Sequence, residues 1–87
     1  MSEPGKLSFP TEFPIKVMGR QGHDLRTLTR RIVEKHAGPL NEDQIRDRPS
    51  AANNFLSVTY VIVATSQEQL DAIYRELTAC EAVLMAL

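Results

Sequence analysis

The chain is poor in the residues that support metal, redox and base-stacking chemistry. Its 87 residues include one cysteine, no tryptophan, three phenylalanines and two tyrosines. A lone cysteine cannot form an internal disulfide or a cysteine-rich zinc site. It also cannot supply the pair of thiolates with which a carrier holds a soft metal ion. We therefore expect no metal and no cofactor.

Long apolar runs and an excess of one charge are also missing. No stretch approaches the roughly 18 apolar residues of a membrane helix, and the first residues lack the apolar core of a signal peptide. Ten basic and eleven acidic residues give a net charge of −1. A protein that relies on phosphate contacts normally carries a clear positive excess, so nucleic-acid binding is disfavoured. We expect a cytoplasmic protein.

The charges that are present are unevenly placed. Residues 20–35 contain five basic and two acidic side chains, a net charge of +3, whereas residues 66–87 contain one basic and four acidic side chains, a net charge of −3. Such blocks are typical of neighbouring helices with complementary solvated faces.

Length and composition indicate one globular domain. Hydrophobic residues make up 43% of the chain and charged residues 24%, which is ordinary for a folded protein of this size. The opening residues contain two prolines and few apolar groups. We expect a flexible leader over residues 1–11, with Phe9 touching the core, and a domain over residues 12–87.

Hydrophobic periodicity predicts four strands and two helices. Alternation over residues 12–20 and 55–64 predicts strands, the second of them central because neither of its faces is fully polar. The charged segment 42–48 fits a sheet edge, and the apolar residues 82–87 fit a final strand. An apolar stripe with helical spacing predicts a first helix that ends at Gly38. The residues of this stripe are Leu25, Leu28, Thr29, Ile32, Val33 and His36.

The second helix is predicted from a capping box and a second stripe. Residues 65–68 have the capping-box pattern, with Thr65 as the cap and Glu68 as its partner. The order strand, helix, strand, strand, helix, strand then folds most simply as a ferredoxin-like α+β sandwich. This fold has an antiparallel sheet of order 4-1-3-2 with both helices on one face.

Several segments resemble the YbeD-like family of small bacterial proteins of unassigned function. The resemblance begins at residues 9–19 and resumes in residues 49–50, 57–58, 64–65, 68–69, 74–77 and 83–87. It implies an ACT-like version of the ferredoxin fold and carries no catalytic residues. This chain departs from the family pattern at the hairpin, where Asn53 and Phe55 stand in place of a frequent glycine and tyrosine.

The turn between the first strand and the first helix is a candidate ligand site. A helix N-terminus presents unpaired N–H groups, and glycine allows a ligand to approach the backbone. In ACT domains small effectors bind at the corresponding turn, so the resemblance suggests a metabolite site made of Gly19, Gly22, His23 and Asp24. The competing interpretation is that the glycines serve turn geometry and that Asp24 complements the helix dipole.

The second candidate site is the surface of the sheet that faces away from the helices, here called the open face. The strand pattern places Lys16, Met18, Phe55, Val61 and Val63 there. A contiguous exposed apolar patch marks a partner surface. We therefore favour a non-catalytic regulatory or interaction module that binds a protein partner, or a second copy of itself, through this face.

The sequence leaves two other functions open. A small cytosolic enzyme could use His23 and Cys80 at one end of the helices, although no third group to orient the histidine is evident. An RNA-binding platform could use Lys16 and Phe55 on the open face, although RNA recognition on such sheets normally needs more aromatic residues. We interpret His36 as a half-buried residue at a helix C-terminus.

Overall fold

A computed structural model of the chain describes residues 8–21, 24–50, 52 and 54–87. Within these residues the four strands are β1 (Thr11–Arg20), β2 (Ile45–Pro49), β3 (Phe55–Ala64) and β4 (Val83–Ala86). The two helices are α1 (Leu25–Ala37) and α2 (Gln67–Ala79), and a single 3₁₀ turn at Glu42–Gln44 precedes β2.

The strands form one antiparallel sheet in the order β2-β3-β1-β4. β1 and β3 pair along their full lengths, from Thr11 opposite Ala64 to Arg20 opposite Phe55. In β2, only Ile45 is buried, and the other four residues are exposed. The predicted ferredoxin-like order, with an apolar strand in the centre and a charged one at the edge, is therefore confirmed.

Both helices cover the same face of the sheet. The covered face is lined by alternate residues of the two central strands, of which Ile15, Val17, Val58, Tyr60 and Ile62 are almost fully buried. The helices contribute the other half of this core, with Leu25, Thr29 and Val33 from α1 and Leu70, Ile73 and Leu77 from α2. Because the period of a strand is two, the remaining residues of β1 and β3 form the open face.

The apolar stripe predicted on α1 is too wide. Leu28 is 38% exposed, so its assignment to the core was wrong. The fully buried positions Leu25, Thr29 and Val33 are spaced four residues apart, so α1 meets the sheet along a single i, i+4 ridge. Ile32 and His36 lie beside this ridge and are half-buried.

The predicted capping box of α2 is displaced by one residue. Ser66, not Thr65, is the N-cap, and its hydroxyl accepts a hydrogen bond from the Gln69 N–H at 3.0 Å. The Gln69 side-chain carbonyl in turn accepts from the Thr65 N–H at 2.8 Å. This frame turns the apolar stripe of α2 toward the sheet and leaves Glu68 exposed.

The predicted boundary of the leader falls close to the first strand. β1 begins at Thr11, one residue earlier than expected, and Phe9 packs partly buried against the core. Residues 1–7 lie outside the described residues. Neither of the described helices is long and apolar enough to cross a lipid bilayer.

Candidate functional site

The structure accounts for Gly19 of the predicted ligand turn by packing alone. Gly19 is buried, and a Cβ atom there would meet the backbone carbonyl of Ala82 and lie 2.9 Å from the Leu25 side chain. Asp24 is exposed, and its carboxylate makes no capping hydrogen bond. Gly22 and His23 lie outside the described residues. The metabolite site therefore stays a prediction, and the presence of glycine at position 19 does not support it because packing already explains that residue.

His36 and Cys80 have structural roles in the described part of the chain. The His36 Nε2 atom lies 3.0 Å from the Glu76 carboxylate, and Lys35 Nζ lies 2.9 Å from the same oxygen. The hydrogen bond from Lys35, and to a smaller extent that from His36, lowers the pKa of Glu76. Cys80 is half-buried just after α2, where its N–H donates to the Leu77 carbonyl. The alternative enzyme also needs His23, and stays untested.

The basic side of α1 is neutralised mainly by the loop that follows it. Arg26 and Arg30 contact the Glu42 carboxylate at 2.6 and 2.7 Å, and Arg30 also lies 3.3 Å from Glu34. Hydrogen bonds from Arg30 and Arg26 lower the pKa of Glu42. In the part of the chain that the structure describes, the predicted pairing of oppositely charged helix faces is found at the end of α1, where Lys35 and His36 contact Glu76.

All five residues predicted for the open face lie on it. The register places Lys16, Met18 and the other even-numbered residues of β1 on the same face as the odd-numbered residues of β3, which include Phe55, Val61 and Val63. The helices cover the opposite face. Whether these residues bind a partner stays a prediction, but their juxtaposition follows from the strand register.

An apolar patch lies at one end of the open face. Met18, Phe55, Leu84 and Met85 line a shallow groove of about 200 Å³. The last three expose between 40% and 56% of their surface. The register shifts between Met18 and Gly19, which leaves Leu84 as an extra residue in β4. Such a bulge re-aims side chains locally, and here Leu84 and Met85 line the same groove.

A cationic cluster, made of Lys16, Arg46 and Arg48, borders the apolar patch. Thr59 of β3 is paired with Lys16 on one side and Arg46 on the other, and Ser57 is paired with Arg48. Two grooves of about 460 and 380 Å³ share Lys16, Arg48 and Ser57 in their linings, and Asp47 contributes to the second. Among the described residues, no carboxylate lies within 4.0 Å of these three cations.

Four residues of this surface were not predicted from the sequence: Leu84, Met85, Arg46 and Arg48. The charges of β2 were interpreted only as protection of a sheet edge. Their spacing of two is the signal that could have placed both arginines on one face. The run Val83–Ala86 has no polar alternation, so nothing local assigned its side chains to a face.

Comparison with known proteins identifies the family. Residues 5–87 match the family model described as a protein of unknown function, DUF493. A UPF0250 protein of Ectopseudomonas mendocina is 42% identical over 86 residues, which are 98% of this chain and 94% of that protein. The UPF0250 protein RSc0326 of Ralstonia nicotianae is 40% identical over 73 residues, 84% of this chain and 75% of the relative.

A solved structure supports the same fold at low sequence identity. The solution structure of protein HP0495 from H. pylori superposes with a TM-score of 0.73 at 12% identity, covering 99% of this chain and 90% of that one. The resemblance to YbeD-like proteins is consistent with the family match. With its ferredoxin-like sheet and nearly full-length matches, the chain belongs to the DUF493, or UPF0250, family of small bacterial proteins of unknown function.

Proposed function

We propose that this protein is a non-catalytic interaction module that binds a protein partner through its open face. One observation carries the proposal: the apolar patch and the cationic cluster adjoin each other on the side of the sheet that the helices leave uncovered. Single exposed apolar residues are normal on a protein surface. A group of neighbouring exposed apolar residues beside charged side chains is typical of an interface with an apolar centre and a polar rim.

The surroundings of the reactive side chains support the non-catalytic part of the proposal. The imidazole of His36 makes a hydrogen bond with the Glu76 carboxylate. The described residues contain no group of three or more histidine, cysteine, aspartate or glutamate side chains that could hold a metal ion. Cys80 lies half-buried just after the C-terminal end of α2. Its free thiol fits a reducing compartment, and we propose the cytoplasm as the place of action.

Site-specific photocrosslinking in the bacterium of origin tests the proposal. A benzoylphenylalanine at Met85 places the probe on the open face, and the same probe at Arg75 places it on an exposed position of α2 as a matched control. We expect discrete crosslinked protein species from position 85 and none from position 75. The species should disappear when Phe55→Ser and Leu84→Ser are combined, and a cooperative thermal transition should remain because both side chains are exposed. Equal crosslinking from both positions, or none from position 85, would contradict the proposal.

A further inference from the structure

We propose that the partner contributes an extended acidic segment, which places one apolar side chain in the apolar patch and carboxylates on the cationic cluster. This inference rests on the proposed function, because it assumes that the open face is where a partner binds. It adds the chemistry of that partner: an aliphatic anchor followed closely by two or more acidic residues.

Three cations converge on the groove of about 380 Å³, here called the trough. Lys16, Arg46 and Arg48 surround the small hydroxyl residues Thr59 and Ser57. With neighbouring strands about 4.8 Å apart, the backbone positions of all three cations fall within about 10 to 12 Å of one another. Arginine and lysine bind carboxylates through charge-assisted hydrogen bonds, and arginine can hold both carboxylate oxygens. The trough is therefore wide enough for more than one carboxylate.

The distance between the cations and the apolar patch matches the spacing of residues in an extended peptide. Met18 of the patch and Lys16 of the cluster are two residues apart on β1, which corresponds to about 7 Å. An extended peptide rises by about 3.3 Å per residue, so two residues of a partner span the same distance. One apolar residue and an acidic residue two positions away can then occupy both features together.

Charge argues against a symmetric pair of copies as the occupant. A two-fold interface centred on the cationic cluster would bring the two clusters together, because residues beside the axis meet their own copies. The acidic residue of β1 on the open face is Glu12, which lies opposite Val63 at the far end from the apolar patch. Like charges brought together in this way disfavour the complex. Complementary charge is better supplied by a different, acidic chain.

The side chains of the open face also favour a peptide over RNA. Single-stranded RNA is held by stacking of its bases on aromatic side chains. Of the aromatic residues in β1–β4, Phe55 lies on the open face, whereas Phe13 and Tyr60 belong to the covered face. The other members of the apolar patch are Met18, Leu84 and Met85, whose flexible side chains suit an aliphatic anchor.

Fluorescence anisotropy with defined peptides tests the inference. The probe is a fluorescein-labelled eight-residue peptide in which one leucine is followed, after one serine, by three aspartates. The comparison probes replace the leucine with serine, replace the aspartates with lysines, or substitute an eight-nucleotide oligouridine. We expect the leucine-aspartate peptide to bind at least tenfold more tightly than the other three and to lose affinity as salt is raised. Amide shifts in its NMR titration should lie on the open face.

Matched variants locate the site. Combining Arg46→Gln with Arg48→Gln should weaken binding of the leucine-aspartate peptide at least tenfold, whereas Arg31→Gln on the exposed surface of α1 should leave it unchanged. Lys16→Gln, on a central strand, repeats the test if the double variant pairs β2 poorly. Equal binding of the lysine peptide, or no effect of these glutamine substitutions, overturns the inference. Tighter binding of oligouridine would overturn it in favour of RNA, and concentration-dependent dimers in place of peptide binding would overturn it in favour of self-association.

The two proposals fail in distinguishable ways. If the acidic peptide does not bind while crosslinking from position 85 persists, the partner chemistry is wrong and the interaction face stands. If the crosslinked species are also missing, the proposed function fails together with the inference.

Discussion

At the scale of single residues, Gly19 and Gly38 need glycine for different reasons. At Gly19 the space for a Cβ is taken by the Ala82 carbonyl and the Leu25 side chain. At Gly38 a Cβ would have nothing within 4 Å, but φ is +84° and ψ is 176°, a region that is almost exclusive to glycine. The first position is limited by neighbours and the second by its own backbone.

We therefore expect the alanine variants of these glycines to fail in different ways. Gly19→Ala should lower the free energy of unfolding by about 1 to 3 kcal/mol through overpacking and should shift the NMR signals of Leu25 and Ala82. Gly38→Ala should cost a similar amount, about 1 to 3 kcal/mol, through backbone strain, with shifts confined to its own turn. Urea unfolding and NMR spectra measure both. A Gly19→Ala protein as stable as the wild type would contradict the packing seen at this glycine.

The buried hydroxyls of Thr29 and Tyr60 share two protons among three contacts. Thr29 Oγ1 lies 2.6 Å from the Tyr60 hydroxyl and 2.7 Å from the Leu25 carbonyl, and the Tyr60 hydroxyl lies 3.0 Å from the Arg26 carbonyl. Each hydroxyl has one proton to donate, so the two cannot donate in all three contacts at once. Burial raises the pKa of Tyr60 to about 12, which keeps its phenol protonated at neutral pH.

Because the two hydroxyls share their protons, we expect each single substitution to lower the free energy of unfolding only modestly. We also expect a measurable coupling energy between Thr29 and Tyr60. Thr29→Val and Tyr60→Phe should each cost about 1 kcal/mol, because the remaining hydroxyl keeps a backbone carbonyl to which it can donate. The double variant should cost less than the sum, by about 0.5 to 1 kcal/mol. Urea unfolding of the four proteins gives the coupling. Strict additivity would show that the 2.6 Å contact contributes nothing to stability.

At the scale of the element, the start of α2 is set by Ser66. Its hydroxyl caps the Gln69 N–H, whereas the adjacent Thr65 hydroxyl makes no hydrogen bond within the described residues. Ser66→Ala should therefore lower the free energy of unfolding by about 1 kcal/mol. Thr65→Ala, the matched control, should change it by less than about 0.5 kcal/mol. Chemical denaturation measures both, and a larger loss for Thr65→Ala would restore the cap predicted from sequence.

The contact between α1 and α2 depends on pH through Glu76. Lys35 and His36 lower the pKa of Glu76 in the folded protein below its ordinary value of 4.5. A carboxyl with a lowered folded pKa stabilises the fold above its unfolded pKa, and this contribution is lost as the pH falls through the folded value. The stabilisation should therefore be present at pH 6 and should fade below about pH 4.5.

Glu76→Gln should remove this part of the acid sensitivity. We expect the difference in urea midpoint between wild type and variant to be largest near pH 6 and to shrink toward pH 3, because the protonated carboxyl no longer pairs with Lys35. The control is Glu68→Gln on the exposed first turn of α2, whose carboxylate forms no salt bridge with the described residues. A midpoint difference for Glu76→Gln that does not vary with pH would contradict the role of the ion pair.

At the scale of the whole molecule, basic side chains gather on one surface although the net charge is small. The net charge is −1, yet Lys16, Arg46 and Arg48 gather on the open face. The exposed acids Glu68 and Asp71 lie on α2, in the layer behind the sheet. A small net charge therefore coexists with a locally positive surface. This is why the composition disfavoured a phosphate-binding protein without excluding a local site for carboxylates.

The sheet order also predicts how stability is distributed. β3 and β1 each pair on both sides, whereas β2 and β4 each pair on one. The amides of β3 and β1 that pair within the sheet should exchange with solvent at least tenfold more slowly than those of β2 and β4, because edge strands open locally. Hydrogen exchange followed by NMR measures this order. Equal protection of β4 and β3 would show that a further contact covers the β4 edge.

Much of the fold could be predicted from the sequence, because periodicity and edge charges are local signals. The alternation in β1 and β3 determined which residues share a face, and the charged β2 indicated an edge. This is also why Lys16, Met18, Phe55, Val61 and Val63 were placed together on the open face. The errors at Leu28 and Thr65 are local too, since a stripe or a cap can be displaced by one position without losing its pattern.

The sequence alone thus determined the order and type of the elements and the part of the candidate interface that lies on β1 and β3. Tertiary structure decided which charges are neutralised and how β2 and β4 complete the grooves of the open face. Glu42 lies twelve residues beyond Arg30 but contacts it directly, and the bulge at Leu84 exists only because β4 pairs with β1. Such outcomes depend on residues distant in the chain that fold into contact, and no local pattern records those distances.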